Sequence, residues 1–402
     1  MSWEKAIDDG TAQYLRGEFK ESEQTFSSAV QSLEGNDSKK AEYAEALEGL
    51  GRSQIWLAKF DDADSNLKKS RDLKSQVYGG ESKQVAFVDL YRSDLAVAKQ
   101  DFEEAHSLAK NALAVIEKET GANDLAIAEA ASRVGISGAY LPGKVDESES
   151  YLNKALGIRR SKLGEEHLQV GQTLDLLSQC HALAENFTMA GALGRKALAI
   201  KEKALGPNHP EVGVTLYHLS TQYVRTLMFD KAEPIARRGV AILSKLPADN
   251  EVKVRMLERL ATICNAKNDL DEAEELHSKA LASAEKLWGP NDPNIVSNLV
   301  GLASTNLNQN DYANSEKNFK RALKVMERQA TFEAGQEYSL LQNLSCCYIF
   351  QLKIGDILQL VPATFRSRHI ANYSGTLDLI RKAVTFAMKQ IDAYKKDRGD
   401  YS

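Results

Sequence analysis

The feature that most constrains this chain is a repeat with a period of about 42 residues. A bulky apolar residue, called here the anchor, recurs at spacings of 41, 42, 43, 42, 42, 41 and 42 residues. The eight anchors are Phe19, Phe60, Phe102, Val145, Phe187, Phe229, Leu270 and Tyr312. Regular self-similarity is typical of arrays in which each unit packs on its neighbours, so the 402 residues predict one continuous array rather than two or three globular domains.

Small residues follow the anchors at two fixed distances. Three residues after the anchors stand Ser22, Ala63, Ala105, Ser148, Ala190, Ala232, Ala273 and Ser315. Ten residues after the anchors stand Ala29, Ser70, Ala112, Ala155, Ala197, Gly239, Ala280 and Ala322. Positions one heptad apart lie on one face of a helix. The spacing therefore predicts a helix, helix B, whose small face packs closely against another helix.

A second helical pattern precedes the anchors. A leucine followed by a small residue occurs at Leu50-Gly51, Leu177-Ser178, Leu219-Ser220, Leu260-Ala261 and Leu302-Ala303, each with another leucine three residues earlier. This spacing predicts helix A. Each unit is therefore a helical hairpin: helix A, a short turn, and helix B beginning at the anchor.

The leucine pattern of helix A, followed by the small residues of helix B, resembles the tetratricopeptide repeat. Phe26 and Phe319 match its aromatic position on helix B. The resemblance covers about residues 1–350, and it implies an all-α fold, a right-handed α-solenoid of stacked antiparallel hairpins. We expect eight clear repeats in residues 1–350, followed by the start of a ninth.

Each unit is about eight residues longer than the standard repeat of about 34. The extra residues extend helix B and its exit loop, as in Leu205-Gly206-Pro207-Asn208-His209-Pro210, where glycine ends the helix and proline prevents its continuation. This long unit resembles the kinesin light chain and nephrocystin type of array. The chain carries Asp175-Leu176 and Tyr217-His218 where kinesin light chains usually have paired asparagines, so the resemblance implies their fold and not their cargo role.

Residues 351–402 differ from the array and predict a degenerate final repeat followed by one amphipathic helix over 376–396. A solenoid needs a terminal helix to cover its last apolar face. We expect this helix to be that cap, and the alternative is a helix that binds a partner.

Composition excludes several classes of function. No stretch reaches the roughly 20 apolar residues of a membrane-spanning helix, and the N-terminus lacks the pattern of a signal peptide. The four cysteines show no C-x-x-C spacing, which suits a reducing compartment. These features predict a cytoplasmic protein, or an organellar one if a presequence has been removed, without membrane insertion.

Catalysis and nucleic-acid binding are not predicted either. Phosphate-loop, zinc-protease and nucleophile-elbow motifs are missing from the sequence. Glu274 and His277 form one E-x-x-H motif, where a di-iron centre needs two. The net charge of -5 and the lack of a long basic stripe argue against a nucleic-acid partner. We therefore expect no enzyme activity, no cofactor and no metal.

The resemblance implies that the A helices line a concave groove in which a peptide lies. By position within helix A, the candidate partner-binding residues are Asp175, Gln179, Tyr217, Thr221, Arg225, Arg255, Glu258 and Thr262. The same positions hold Glu48, Arg52, Leu90, Asp94, Arg133 and Ser137 in earlier repeats. The mixed signs of these charges suggest a partner of mixed charge.

The lysine and asparagine set with which chaperone-binding relatives grip a C-terminal carboxylate does not occur in consecutive repeats, so a partner of that kind is not expected. The predicted function is a non-catalytic scaffold or adaptor that binds a protein or peptide. The alternative is a regulatory sensor whose superhelix changes shape when it binds a peptide or small ligand.

Overall fold

The computed structural model describes residues 2–119, 124–246 and 250–326, together with 343, 344 and 347. Its helices are α1 Trp3–Leu15, α2 Phe19–Leu33, α3 Lys40–Trp56, α4 Phe60–Tyr78, α5 Lys83–Ala98, α6 Phe102–Glu119, α7 Leu125–Ala139, α8 Val145–Leu163, α9 Leu168–Leu183, α10 Phe187–Leu205, α11 Pro210–Arg225, α12 Phe229–Leu243, α13 Glu251–Ala266, α14 Leu270–Trp288, α15 Val296–Asn308 and α16 Tyr312–Met326. Short 3-10 turns, Asp37–Lys39 and Pro293–Ile295, precede α3 and α15. Most of the predicted ninth repeat and the predicted helix over 376–396 lie outside the described residues.

The helices alternate as predicted, with A helices at odd numbers and B helices at even numbers. Every B helix begins at its anchor residue, which confirms the hairpin period and its register. Both sets of small residues are buried in all eight B helices. The described residues fold as stacked antiparallel hairpins of an all-α solenoid.

A buried hydroxyl bridges the two helices of a hairpin where they cross. In the first repeat the hydroxyl of Ser22 on helix B donates to the carbonyl of Gly10 on helix A at 2.8 Å. In the fifth repeat the direction is reversed, and Ser178 on helix A donates to the carbonyl of Ala190 on helix B at 2.8 Å. Small side chains at the crossing let the backbones approach closely enough for this bond.

The turn between helix A and helix B carries a left-handed residue in each of the eight described repeats. The residue two positions before each anchor has a positive φ; these residues are Gly17, Ala58, Gln100, Gly143, Glu185, Leu227, Asn268 and Asn310. In the second repeat the N–H of Lys59 donates to the carbonyl of Gln54, and the N–H of Ala58 to that of Ile55. These bonds are a Schellman C-cap, which ends helix A with a left-handed residue.

The chain divides into two compact units, Met1–Met256 and Leu257–Ser402. In the first unit consecutive A helices contact each other as well as their own B helices. Two contacts in this unit join distant repeats: the Nε2 of His209 donates to the carbonyl of Leu15 at 3.1 Å, and Gln100 donates to Glu251 at 3.4 Å. The first unit therefore turns back on itself.

Candidate functional site

The A helices of the first unit carry a row of charged and aromatic side chains, which we call the A-helix face. It consists of Tyr14, Glu48, Arg52, Tyr91, Asp94, Glu129, Arg133, Asp175, Gln179, Tyr217 and Thr221. Because α1, α3, α5, α7, α9 and α11 contact one another in sequence order, side chains at equivalent positions of neighbouring repeats reach each other.

At the start of the row, Arg52 is stacked between two aromatic rings. Its guanidinium carbon lies 4.6 Å from the ring centre of Tyr14 on α1 and 4.5 Å from that of Tyr91 on α5. The indole nitrogen of Trp56 donates to the hydroxyl of Tyr14 at 3.2 Å and so fixes that ring. Burial acts to lower the pKa of Arg52, but both tyrosines and Glu48 outweigh it and raise the pKa above its ordinary value.

The next part of the row is a network of ion pairs on α5, α7 and α8. The guanidinium of Arg133 donates to both carboxylate oxygens of Asp94, at 2.9 and 2.8 Å, and to Glu129 at 2.6 Å. Arg159, which is buried, donates to the other oxygen of Glu129 at 2.6 Å. Burial would raise the pKa of Glu129, but Arg133 and Arg159 outweigh it and lower the pKa to about 2.

The third part is a buried cluster around Asp175 on α9. One carboxylate oxygen accepts hydrogen bonds from Lys201 at 2.7 Å and from the hydroxyl of Thr215 at 2.9 Å. The other lies 3.2 Å from the Nδ1 of His218. Burial would raise the pKa of Asp175, but Lys201 and His218 outweigh it and lower the pKa.

In the second, third and fifth repeats, the same two positions hold either an ion pair or an apolar pair. The position twelve residues before the anchor meets the position fourteen residues after it, as in Asp175 with Lys201 and in Glu48 with Lys74 at 2.5 Å. In the third repeat these positions are Leu90 and Ile116, which lie fully buried in one apolar cluster. These three repeats thus satisfy the position internally.

The sequences of two segments, residues 140–203 and 253–328, match the tetratricopeptide repeat family. These two segments contain tetratricopeptide repeats. The expected repeat family is thereby confirmed for hairpins in both units of the fold.

Solved structures share the tetratricopeptide-repeat architecture. One is a signal transduction ATPase with numerous domains and a tetratricopeptide repeat sensor, from Pyrococcus horikoshii. Its sequence is 14% identical to this chain with a TM-score of 0.50, and the match covers 79% of this chain and 46% of that chain. At this identity the similarity shows the fold alone. No curated protein matches the sequence significantly.

Two shorter matches are also similar to this chain. One is a structure of nearly identical TPR-like repeats of a kinesin light chain from Podosopora anserina. Its sequence is 20% identical to this chain with a TM-score of 0.42, and the match covers 51% of this chain and 95% of that chain. BtubC (BKLC) from P. vanneervenii is 16% identical with a TM-score of 0.42, over 61% of this chain and 92% of that chain.

Five of the predicted site residues lie on α9 and α11. Asp175 is buried and satisfied by its own cluster, so it holds neighbouring side chains in place. Gln179, Tyr217 and Thr221 are half-buried, and the hydroxyl of Thr221 donates to the carbonyl of Tyr217. Arg225 is exposed, with one guanidinium nitrogen 3.5 Å from Glu185.

The other three predicted site residues lie on α13. Arg255 belongs to the first unit, is half-buried and lies 3.5 Å from Glu251. In the second unit, Glu258 is half-buried and accepts a hydrogen bond from Ser297 at 2.8 Å. Thr262 is exposed, and its hydroxyl donates to the carbonyl of Glu258 at 2.8 Å.

Several residues of the A-helix face were missed from the sequence. Tyr14 and Tyr91 flank Arg52, and the repeat pattern does not indicate this contact. Leu90, which the spacing places on the groove side, is fully buried. The pairing of Asp175 with Lys201 had a usable signal, because an acid and a lysine recur 26 residues apart in the second and fifth repeats.

The E-x-x-H motif on α14 has a structural role. Glu274 accepts a hydrogen bond from Asn306 at 3.1 Å, and His277 is buried with its ring against Gly301. Burial lowers the pKa of His277 to about 4. In the described parts of the chain, no group of three or more His, Cys, Asp or Glu side chains is arranged to hold a metal ion. None of the described helices is both long and apolar enough to cross a membrane.

Proposed function

We propose that these tetratricopeptide repeats form a non-catalytic scaffold that binds a partner peptide or protein on the A-helix face. Tetratricopeptide folds generally mediate protein–protein interaction. The observation that carries the proposal is the row itself, in which side chains from successive A helices are locked by bonds to one another. Side chains that are already ordered lose little entropy when a partner binds.

The chemistry of the face favours an extended peptide. Tyr217 offers an aromatic surface with a hydroxyl, and Gln179 offers both an amide donor and an acceptor of the kind that pairs with a peptide backbone. Arg225 on α11 and Arg255 on α13 add positive charge, while Glu251 on α13 adds negative charge. A partner of mixed charge complements this set.

The test begins with selection of peptides from a random library by the purified full-length chain. Affinities of the selected peptides are then measured by calorimetry for a triple variant, Tyr217→Ala, Arg225→Ala and Arg255→Ala. A control variant carries Lys20→Ala and Lys196→Ala, two exposed residues on B helices.

Truncation of an aromatic and two arginines at an interface is expected to weaken binding at least about 100-fold. The control should bind like the wild type. Equal affinity of the triple variant and the wild type for every selected peptide would contradict binding on this face.

A second candidate function is a regulatory sensor whose superhelix changes shape on binding. The contact between His209 and Leu15 favours it. This bond joins the sixth repeat to the first, and a ligand that separates them would change the shape of the first unit. A change in the scattering radius of gyration on saturation with a selected peptide supports the sensor. A constant radius with tight binding supports the scaffold.

A further inference from the structure

We propose that Arg52 is a carboxylate-binding residue of the A-helix face, which takes one acidic side chain of the partner peptide. The inference rests on the proposed function and names a chemical feature of its ligand. The proposal follows from the surroundings of the Arg52 guanidinium group and from the charges near it.

The two tyrosine rings flank the guanidinium of Arg52, whose N–H groups lie along its edge. Both ring centres lie within 5 Å of the guanidinium carbon, on opposite neighbouring helices. Within the residues that the structure describes, the N–H groups on that edge make no hydrogen bond or ion pair with the protein. Arg133 on the same face and Arg159 on α8, by contrast, are both bonded to carboxylates.

The carboxylates near Arg52 are already paired with other cations. Glu48 is bonded to Lys74, and Asp94 is bonded to Arg133. Glu129 is shared between Arg133 and Arg159. Arg52 is therefore the one cation of this set that has no carboxylate partner among the described residues.

The sandwich supplies no countercharge of its own. Burial raises the pKa of Tyr91 to about 12, so its hydroxyl stays neutral near pH 7. A carboxylate matches the single charge of Arg52, whereas a phosphate dianion would bring a second negative charge close to Glu48. The geometry therefore favours a carboxylate over a phosphate.

A guanidinium edge is the protein group best matched to a carboxylate, because two parallel N–H bonds meet its two oxygens. Free arginine side chains lose rotamer entropy when they form such a pair. Arg52 has already lost it, since its guanidinium is clamped between rings and Tyr14 is itself held by Trp56. Binding of an Asp or Glu side chain then costs little ordering.

The test uses a double-mutant cycle on the selected peptides, capped by acetylation and amidation. We expect an Asp or Glu at a fixed position among them. Arg52→Gln in the protein, or the matching Glu→Gln in the peptide, should each weaken binding about 10-fold or more. The two changes together should weaken it little further, because they remove the same bond.

Arg52→Lys keeps the charge and loses the two parallel bonds, so we expect an affinity between those of the wild type and Arg52→Gln. It also serves as the test variant if Arg52→Gln does not fold, as judged by circular dichroism. Lys20→Gln is the control for the loss of one exposed positive charge. A peptide with phosphoserine in place of Glu should bind more weakly than the Glu peptide.

The two proposals fail in different ways. Peptides that are weakened by the triple variant but unaffected by Arg52→Gln would overturn the carboxylate site and leave the scaffold intact. Additive effects in the cycle, or tighter binding of the phosphoserine peptide, would also overturn it. Peptides that are unaffected by the triple variant would overturn the proposed function.

Discussion

The ammonium of Lys201 lies 2.7 Å from the carboxylate of Asp175, and the two side chains are only 5% and 4% exposed. The pair joins α10 to α9 within one repeat, and Thr215 and His218 satisfy the remaining oxygen sites. A buried pair of this kind contributes little by itself, but removal of one partner leaves an uncompensated charge.

Asp175→Ala is expected to lower the free energy of unfolding by about 3 kcal/mol, because Lys201 loses its carboxylate and Glu211, 3.7 Å away, is the nearest substitute. The third repeat suggests the matched rescue, since it carries Leu90 and Ile116 at these positions. The double variant Asp175→Leu, Lys201→Ile should regain most of the stability in urea unfolding. A double variant that loses the sum of the two single losses would show that the pair is not the cause.

Two helical glycines should respond in opposite directions to alanine. A Cβ at Gly49 on α3 would lie 2.3 Å from the ring of Phe26, whereas a Cβ at Gly157 on α8 would meet nothing within 4 Å. Gly49→Ala should lower the free energy of unfolding by about 1–3 kcal/mol through overpacking. Gly157→Ala should raise it by about 0.5–1 kcal/mol through helix propensity. Urea unfolding of both variants checks the packing of α3 against α2, and equal shifts would contradict it.

The left-handed residue in the turn before α12 predicts a stabilising substitution. Leu227 has a φ of 58° and a side chain that is 75% exposed. Leu227→Gly should raise the free energy of unfolding by about 1 kcal/mol, because glycine adopts this conformation without steric cost. Leu227→Ala removes the same exposed side chain but keeps its Cβ, so it should change stability by much less. A comparable gain from both variants would point to the exposed leucine rather than to the backbone.

Burial of His277 predicts a dependence of stability on pH. Its pKa is about 4 in the fold, against about 6.5 in an unfolded chain, so the fold favours the neutral ring. The stabilisation is complete above about pH 6.5 and is lost as the pH falls towards 4, because the unfolded chain binds the proton first.

The checking measurement is urea unfolding of wild type and His277→Phe between pH 7 and 4. The difference between their free energies of unfolding should shift by about 3 kcal/mol across this range, from 1.36 kcal/mol for each unit of pKa. Parallel curves for the two proteins would contradict the burial of a neutral imidazole.

The start of every B helix could be predicted, because the anchor and the small residues encode packing within one hairpin. The paired charges could be predicted only in part. Asp175 and Lys201 lie in one repeat at a spacing that recurs, but the stacking of Arg52 combines side chains from three repeats and has no repeating signal. The bond from His209 to Leu15 spans 194 residues and depends on how many hairpins complete one turn of the first unit.

The left-handed turns were missed for a different reason. Gly or Asn stands at four of the eight positions, and residues such as Ala58 and Leu227 stand at the others against their own conformational preference. Tertiary packing of the two helices decides the backbone there. No local pattern indicates a left-handed leucine.

Photo-crosslinking with a selected peptide tests the central claim most directly, because it reports which face of the repeats the peptide touches. The photoreactive residue p-benzoylphenylalanine replaces Gln179 or Tyr217 on the A-helix face, or Lys196 on the B-helix side as the control. If the peptide binds on the A-helix face, we expect crosslinks to it from positions 179 and 217 and none from position 196. Excess unlabelled peptide should suppress these crosslinks. Crosslinks from position 196 alone would contradict binding on the A-helix face.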